Sequence, residues 1–270
     1  MRGQKKRKKG PPWWLFFILL FVALLSLLAS LLMPDISRLK KERPPKTALM
    51  EYREKKLKEK GRKLRIDQRW VSLSDISPYV VKAVLIAEDD KFWRHEGFDY
   101  EAIQKAIEKD IKVKRFKFGG STISQQLARN LYLSPEKSLL RKISEAIITW
   151  RMEKTLSKKR ILELYLNVVE WGEGIFGVGA ASRHYYGKSS SELTPLEAAR
   201  LASVLPNARK YDPAGDQRYV INRSNLIYSI MIQRGIVIPE YEEAVEGGES
   251  PSRQETHSPS SVPGEEPPSY

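Results

Sequence analysis

Between Trp13 and Met33 the chain runs 21 residues without a charge, WWLFFILLFVALLSLLASLLM. As a helix this segment is about 30 Å long, the thickness of a bilayer's hydrocarbon core. A cleavable signal sequence has an apolar stretch of roughly 7–15 residues and ends at small residues. The run therefore reads as an uncleaved anchor, with Trp13 and Trp14 in the interfacial aromatic belt. Six of the first ten residues are basic, which favours a cytoplasmic N-terminus. Residues 34–70 hold 14 Lys/Arg against 6 Asp/Glu, so the other flank is basic too and the rule only leans toward an external main domain.

The run divides the chain. Residues 1–12 are a basic cytoplasmic N-terminus, 13–33 the transmembrane anchor, 34–66 a basic juxtamembrane segment and 67–238 the main domain. Residues 239–270 carry eight Glu and one Arg among many Pro and Ser, with no apolar period, and read as a disordered tail. That tail nets −7 in a chain of +14, leaving the rest at +21. A basic, tethered body suits anionic partners: lipid headgroups, a phosphorylated substrate or nucleic acid. A solvated lysine surface is the plain alternative. With no cysteine there is no disulfide, and the redox compartment cannot be read.

The main domain reads as all-α or nearly so. Ser77-Pro78 is a helix start followed by Val81, Val84 and Leu85 at helical spacing. Ser134-Pro135 opens another, with Leu140, Ile143, Ile147 and Trp150 as its apolar stripe. A third runs from Ser157 through RILELYLN, and a fourth from Thr194-Pro195. About 170 residues suffice for one core.

Acidic residues stand out where the first of these helices ends, in AEDDKFWRHEGFD. Glu88 lies at i+7 from Val81, i+4 from Val84 and i+3 from Leu85, on the apolar face, while Asp89 and Asp90 point elsewhere. A carboxylate there is partly desolvated, which moves its pKa toward that of a useful proton acceptor or donor. Acids at a helix C-terminus oppose the macrodipole, so a merely frayed acidic end is a poor explanation. In GGSTISQQLARN, residues 119–130, Gly119-Gly120 form a turn and Ser121 is the expected N-cap. Thr122, Gln126 and Arg129 share one face, with Ile123 and Leu127 on the other. Free amides at that helix start and an arginine two turns on suit a phosphate; a capped surface helix is the alternative. Glu145 follows Arg141 and Lys142 by four and three residues, neighbours that hold it ionised; an ordinary surface ion pair is the alternative. Two carboxylates in divergent environments form an acid/base or base/stabiliser pair. Lys137, near its helix's start, hints at an external anion.

Several matches are decoys. GEGIFG (Gly172, Gly174, Gly177) follows a helix and lacks a βαβ context. SPEK (Ser134–Lys137) has no S-D-N or K-T-G companion and reads as a helix start. Three histidines without H-E-x-x-H make no zinc site, and no basic stretch is interleaved with aromatics for base stacking.

In combination, EDDKFWRHEG resembles the E-D-x-x-F-x-x-H-x-G motif of peptidoglycan glycosyltransferases. GGSTISQQLARN resembles their G-G-S-T-x-x-Q-Q-L-x-K-N motif, RKISE their R-K-x-x-E, and RILELYLN their fourth block. With no room for a transpeptidase domain, the resemblance is to the monofunctional, membrane-anchored biosynthetic transglycosylases. Arg129 stands where that family usually has lysine, which alters geometry and hydration at the diphosphate contact. The resemblance implies a lysozyme-like all-α domain acting outside the cytoplasmic (inner) membrane. It implies lipid II and the growing glycan chain as partners, together with anionic lipids and other cell-wall synthases, and no nucleic acid. By the same resemblance Glu88 is the catalytic base, and Glu145 the second acidic residue, near the donor. Asp89, Phe92, His95, Thr122, Gln126, Arg129, Asn130, Lys137, Arg141 and Lys142 then line or support the cleft. No metal ligand is assigned; a divalent cation, Mg or Mn, is an optional sharer of the diphosphate charge. Two rival expectations are a lysozyme-like lytic enzyme and a non-catalytic cell-wall scaffold.

Overall fold

The computed structural model describes residues 33–63, 65–113, 120–136 and 138–238, with 13, 14, 16–18 and 20. Those six early residues are helical, and no helix among the described residues is long and apolar enough to cross a membrane. Most of the expected anchor, the tail 239–270, Gly119 and Lys137 lie outside the described residues.

In chain order the elements are α1 (Ala48–Glu59), β1 (Asp67–Gln68), α2 (Pro78–Glu88), α3 (Tyr100–Val113), α4 (Ile123–Tyr132) and α5 (Leu139–Thr155). They continue with α6 (Lys158–Val168), β2 (Glu170–Gly172), β3 (Ile175–Phe176), α7 (Val178–Tyr186), α8 (Pro195–Val204) and α9 (Arg218–Gln233). The mainly helical expectation holds. Three short strands, in the order β1-β3-β2, form a small sheet with β1 parallel and β2 antiparallel to β3. Gly177, at φ 80°, turns the chain from β3 into α7, and a Cβ there would sit 2.6 Å from Asn167 O. Only glycine fits.

Two expected starts are built as read. Thr194 and Glu197 make a reciprocal capping box before α8, and Ser157 Oγ accepts from Arg160 N at 3.2 Å before α6. Two others differ. Ser77 precedes α2, but its hydroxyl donates to Leu193 O at 3.0 Å, stitching α2 to the start of α8. Ser134 accepts from Glu136 N in a turn, and α5 begins four residues later than expected, capped by Ser138. A serine ahead of helix formers occurs twice in that stretch, and tertiary packing selects the second.

The core forms where α2, α4, α6 and α8 meet. Val80, Ala83, Val84, Ile123, Leu127, Ala128, Ile161, Leu162, Leu164, Ala198 and Leu201 expose no surface. Each large aliphatic side chain so buried is worth about 1.5–3 kcal/mol. Helix α8 packs against both α2 and α9, and α4 against α1, α5 and α6. The segment expected as a basic connector adds to this body: Ile36 and Leu39 join the main cluster, while Leu49 and Met50 of α1 pack on Phe176.

Helix α5 turns its apolar stripe outward. Leu140, Ile143, Ile147 and Trp150 are exposed (77%, 50%, 40% and 56%), as is Leu139 at 78%. Its buried line is Glu145, Ile148, Thr149 and Met152. Periodicity reveals a helix with one apolar stripe but not what covers that stripe. Here the ionic side of the helix turns inward.

Candidate active site

The acids that end α2 divide the work. Glu88, the last helical residue, has a side chain only 12% exposed. Its Oε2 accepts from Gln126 Nε2 at 2.8 Å, and Arg223 Nη2 lies 3.9 Å from Oε1. Burial pushes the Glu88 carboxyl above the ordinary glutamate range, against the pull of the Gln126 hydrogen bond and the Arg223 and Arg129 charges.

Asp89 turns away into the protein. Its Oδ2 accepts from Ile123 N at 2.9 Å, at the first turn of α4, and its Oδ1 accepts from His95 Nε2 at 2.9 Å. His95 Nδ1 in turn accepts from Gly97 N, which fixes the tautomer. The N-cap of α4 is Thr122 and not Ser121: its Oγ1 accepts from Gln125 N, donates to Gly97 O at 2.7 Å, and completes a capping box with Gln125. The expected phosphate site at this helix start is thus corrected. The anion favoured there by the amides and the helix dipole is the protein's own Asp89. Phe92 is fully buried, with Lys158 Nζ 4.5 Å from its ring. Asp90 makes a two-pronged pair with Arg234 just past α9, with Nη2–Oδ2 at 2.9 Å.

Helix α4 carries the polar wall that this frame aligns. Gln126, Arg129 and Asn130 line a cavity of about 360 Å³ together with Arg53, Glu170 and Arg209. Glu88 opens on an adjacent hollow of about 240 Å³ with Asp89, Lys91 and Gly120. The Gln126–Glu88 hydrogen bond joins the two walls.

Glu145 is not a surface ion pair. Its side chain is completely buried, bonded to Arg141 Nη1 at 2.6 Å and to Lys142 Nζ, with Arg129 Nη1 at 4.0 Å from Oε2. Three cations on one carboxylate leave surplus positive charge for a ligand anion. Two guanidinium donors remain unspent, since the buried Nε of Arg141 and of Arg223 have no hydrogen-bond partner among the described residues. The two carboxylates are already engaged by Gln126 and by these cations, and among the described residues no three acidic or histidine side chains converge as a metal's donor set. The chemistry is argued on the chain's own cations.

Most of the expected residues therefore gather around one helix, either on its ligand-facing side or in its scaffold; Lys137 lies outside the described residues. Arg223 and Tyr165 escaped the sequence reading. Tyr165 stands inside the quoted RILELYLN block, but nothing local marks its hydroxyl as reaching Gln126, 39 positions away. Arg223 lies on α9, and its Nη2 also bonds Ala87 O, 136 positions distant.

Residues 54–232 match the family described as "Transglycosylase". A "Biosynthetic peptidoglycan transglycosylase" of Nitrosospira multiformis is 48% identical over 193 residues, 72% of this chain and 84% of its own. Proteins of the same name from Dechloromonas aromatica and an Azoarcus species are 54% and 51% identical, over 63% and 70% of this chain and 73% and 82% of theirs. With the family match spanning more than half its length, the chain belongs to the transglycosylase family.

Proposed function

We propose that this chain polymerises lipid II into glycan strands, releasing undecaprenyl diphosphate with inversion at the anomeric carbon. The carrying observation is that a desolvated carboxylate, Glu88, and a cation-wrapped one, Glu145, both feel Arg129. Glu88 takes the proton of the acceptor sugar's 4-hydroxyl. That oxygen attacks the donor's anomeric carbon from the face opposite the diphosphate, and the carbon–oxygen bond to the diphosphate breaks. Diphosphate is a good leaving group that needs its charge met, not its oxygen protonated. Arg129, Arg141 and Lys142 supply that charge, and Glu145 keeps them converged. Asp89, Phe92, His95 and Thr122 hold α4 in place, while Gln126 and Asn130 face the substrate.

The same reading sets the domain on the outer face of the cytoplasmic (inner) membrane, tethered by residues 13–33. It is supported by the uncharged run, by the basic residues before it and by the exposed apolar line on α5. Other cell-wall synthases are natural neighbours there. The test is polymerisation of purified lipid II by the wild type and by Glu88→Gln. A general base contributes about 10²–10⁴-fold, so the variant should lose at least about 10²-fold while still binding lipid II. Undiminished polymer from Glu88→Gln refutes the assignment, and soluble fragments released from finished wall favour a lytic enzyme.

A further inference from the structure

A carboxyl raised by burial can serve as either acid or base, and the residue that biases the choice lies behind it. Tyr165 exposes no surface, and its hydroxyl donates to Gln126 Oε1 at 3.1 Å, while Gln126 Nε2 donates to Glu88 Oε2. We propose that Tyr165 is a positioning residue which, through the Gln126 amide, holds Glu88 as a proton acceptor. The inference rests on the reading of Glu88 as the base.

An amide has a donating and an accepting end, and a half-turn exchanges them. In the observed orientation Nε2 faces Glu88 and stabilises the ionised carboxylate. In the reversed orientation Oε1 faces Glu88, repels the carboxylate and accepts from the protonated acid. Reversal would also aim Nε2 at the Tyr165 oxygen, leaving the hydroxyl hydrogen without an acceptor in a fully buried site. A buried donor left unpaired is costly, so the tyrosine hydroxyl selects the orientation that favours ionised Glu88. The other groups facing Glu88 are Arg129 on α4, Arg223 on α9 and its neighbour Asp89. The two arginines favour ionisation whichever way the amide points. Removing the hydroxyl should therefore shift the titration of Glu88, not abolish its function.

The experiment is the pH dependence of lipid II polymerisation by the full chain, in wild type, Tyr165→Phe, Gln126→Leu and the double variant. Losing one net hydrogen-bond preference corresponds to about one pH unit. In Tyr165→Phe the acid limb of kcat should move up by about that much. The rate below the limb should fall roughly tenfold, recovering at higher pH with KM unchanged. Gln126→Leu should move the limb at least as far, and adding Tyr165→Phe to it should move it no further, because the two act in series. An unmoved limb, a loss equal at all pH values, or additive shifts would each overturn the proposal. Should Tyr165→Phe not fold, the side-chain amide of Gln126 in the wild type is followed by ¹⁵N NMR. Shifts that track the titration of Glu88 support the relay, and a pH-independent amide overturns it. Full activity in Glu88→Gln removes the base and this inference together. An inactive Glu88→Gln beside an unmoved limb in Tyr165→Phe removes this inference alone.

Discussion

Replacing Asp89 by alanine separates scaffold from chemistry. The resemblance has Asp89 line or support the cleft, and its two oxygens are spent on Ile123 N and His95 Nε2, with 2% of the side chain exposed. Deleting the carboxylate strands a buried amide at the first turn of α4, which costs about 1–3 kcal/mol. It also removes a charge-assisted hydrogen bond to His95, worth roughly 1.5–3 kcal/mol. Because both lie in one network the costs are not additive, and a total of about 3–5 kcal/mol is expected. For a domain of this size each kcal/mol lowers Tm by about 2–4 °C, so a fall of roughly 6–20 °C should appear in thermal unfolding followed by circular dichroism. Amide exchange at Ile123 should rise with it. Asp89→Asn keeps one acceptor oxygen and should fall between alanine and wild type. An Asp89→Ala protein melting within 2 °C of wild type, with activity abolished, would refute the scaffold role and place Asp89 in the chemistry.

Glu88 gives the opposite sign. Because its carboxyl is raised above 4.5 in the fold, the native state binds the proton more tightly than the unfolded chain. This group's unfavourable contribution therefore fades as pH falls through the raised value. Glu88→Gln should melt at or above the wild-type temperature at neutral pH, and a drop of several degrees would contradict the desolvation argument. In the wild type, kcat/KM should fall on the acid side through a limb above 4.5, and a limb at or below it would show that Glu88 is not desolvated as a base. Glu145→Gln should release Arg141 and Lys142, with about a 10²-fold loss of polymerisation. The stability loss should lie below the roughly 3–5 kcal/mol of a fully buried pair, because Lys142 is 47% exposed; an unchanged rate would make the cage merely structural. Changing Leu140 and Ile143 to serine should weaken association of the domain with anionic vesicles without lowering Tm, and unchanged vesicle binding would remove α5 from the membrane contact.

What was legible in the sequence depended on range. Thr194-Pro195 and Ser157 announce helix starts because a cap is satisfied within three residues, and both helices begin where read. Glu88 was placed on an apolar face because periodicity is local too. The stripe of α5 is legible but its facing is not, since the stripe and the ionic line are each consistent with a helix, and only the rest of the fold decides which goes inside. The phosphate expected at the α4 amides failed for a related reason. Nothing in GGSTISQQLARN shows that Asp89, 34 positions earlier than Ile123, arrives first. Arg223 and Tyr165 join the site through long-range packing that no spacing rule encodes.

The proposed tethering makes α5 the element that joins site and membrane. Glu145 lies on the buried side, its partner Lys142 is 47% exposed, and Leu140, Ile143, Ile147 and Trp150 lie on the outer side. An α-helix with its side chains is about 10–12 Å across. If the outer stripe rests in the headgroup region, the cationic cluster stands one helix diameter from the lipid. A lipid-linked diphosphate carries its charge at that level, because its chain stays in hydrocarbon while its phosphates stay wet. The substrate could then present its leaving group to Arg129, Arg141 and Lys142 without drawing its tail into the protein. Under the proposed tethering the stripe and the buried glutamate answer one constraint: the helix proposed to meet the leaving group's charge is also the one proposed to meet the bilayer.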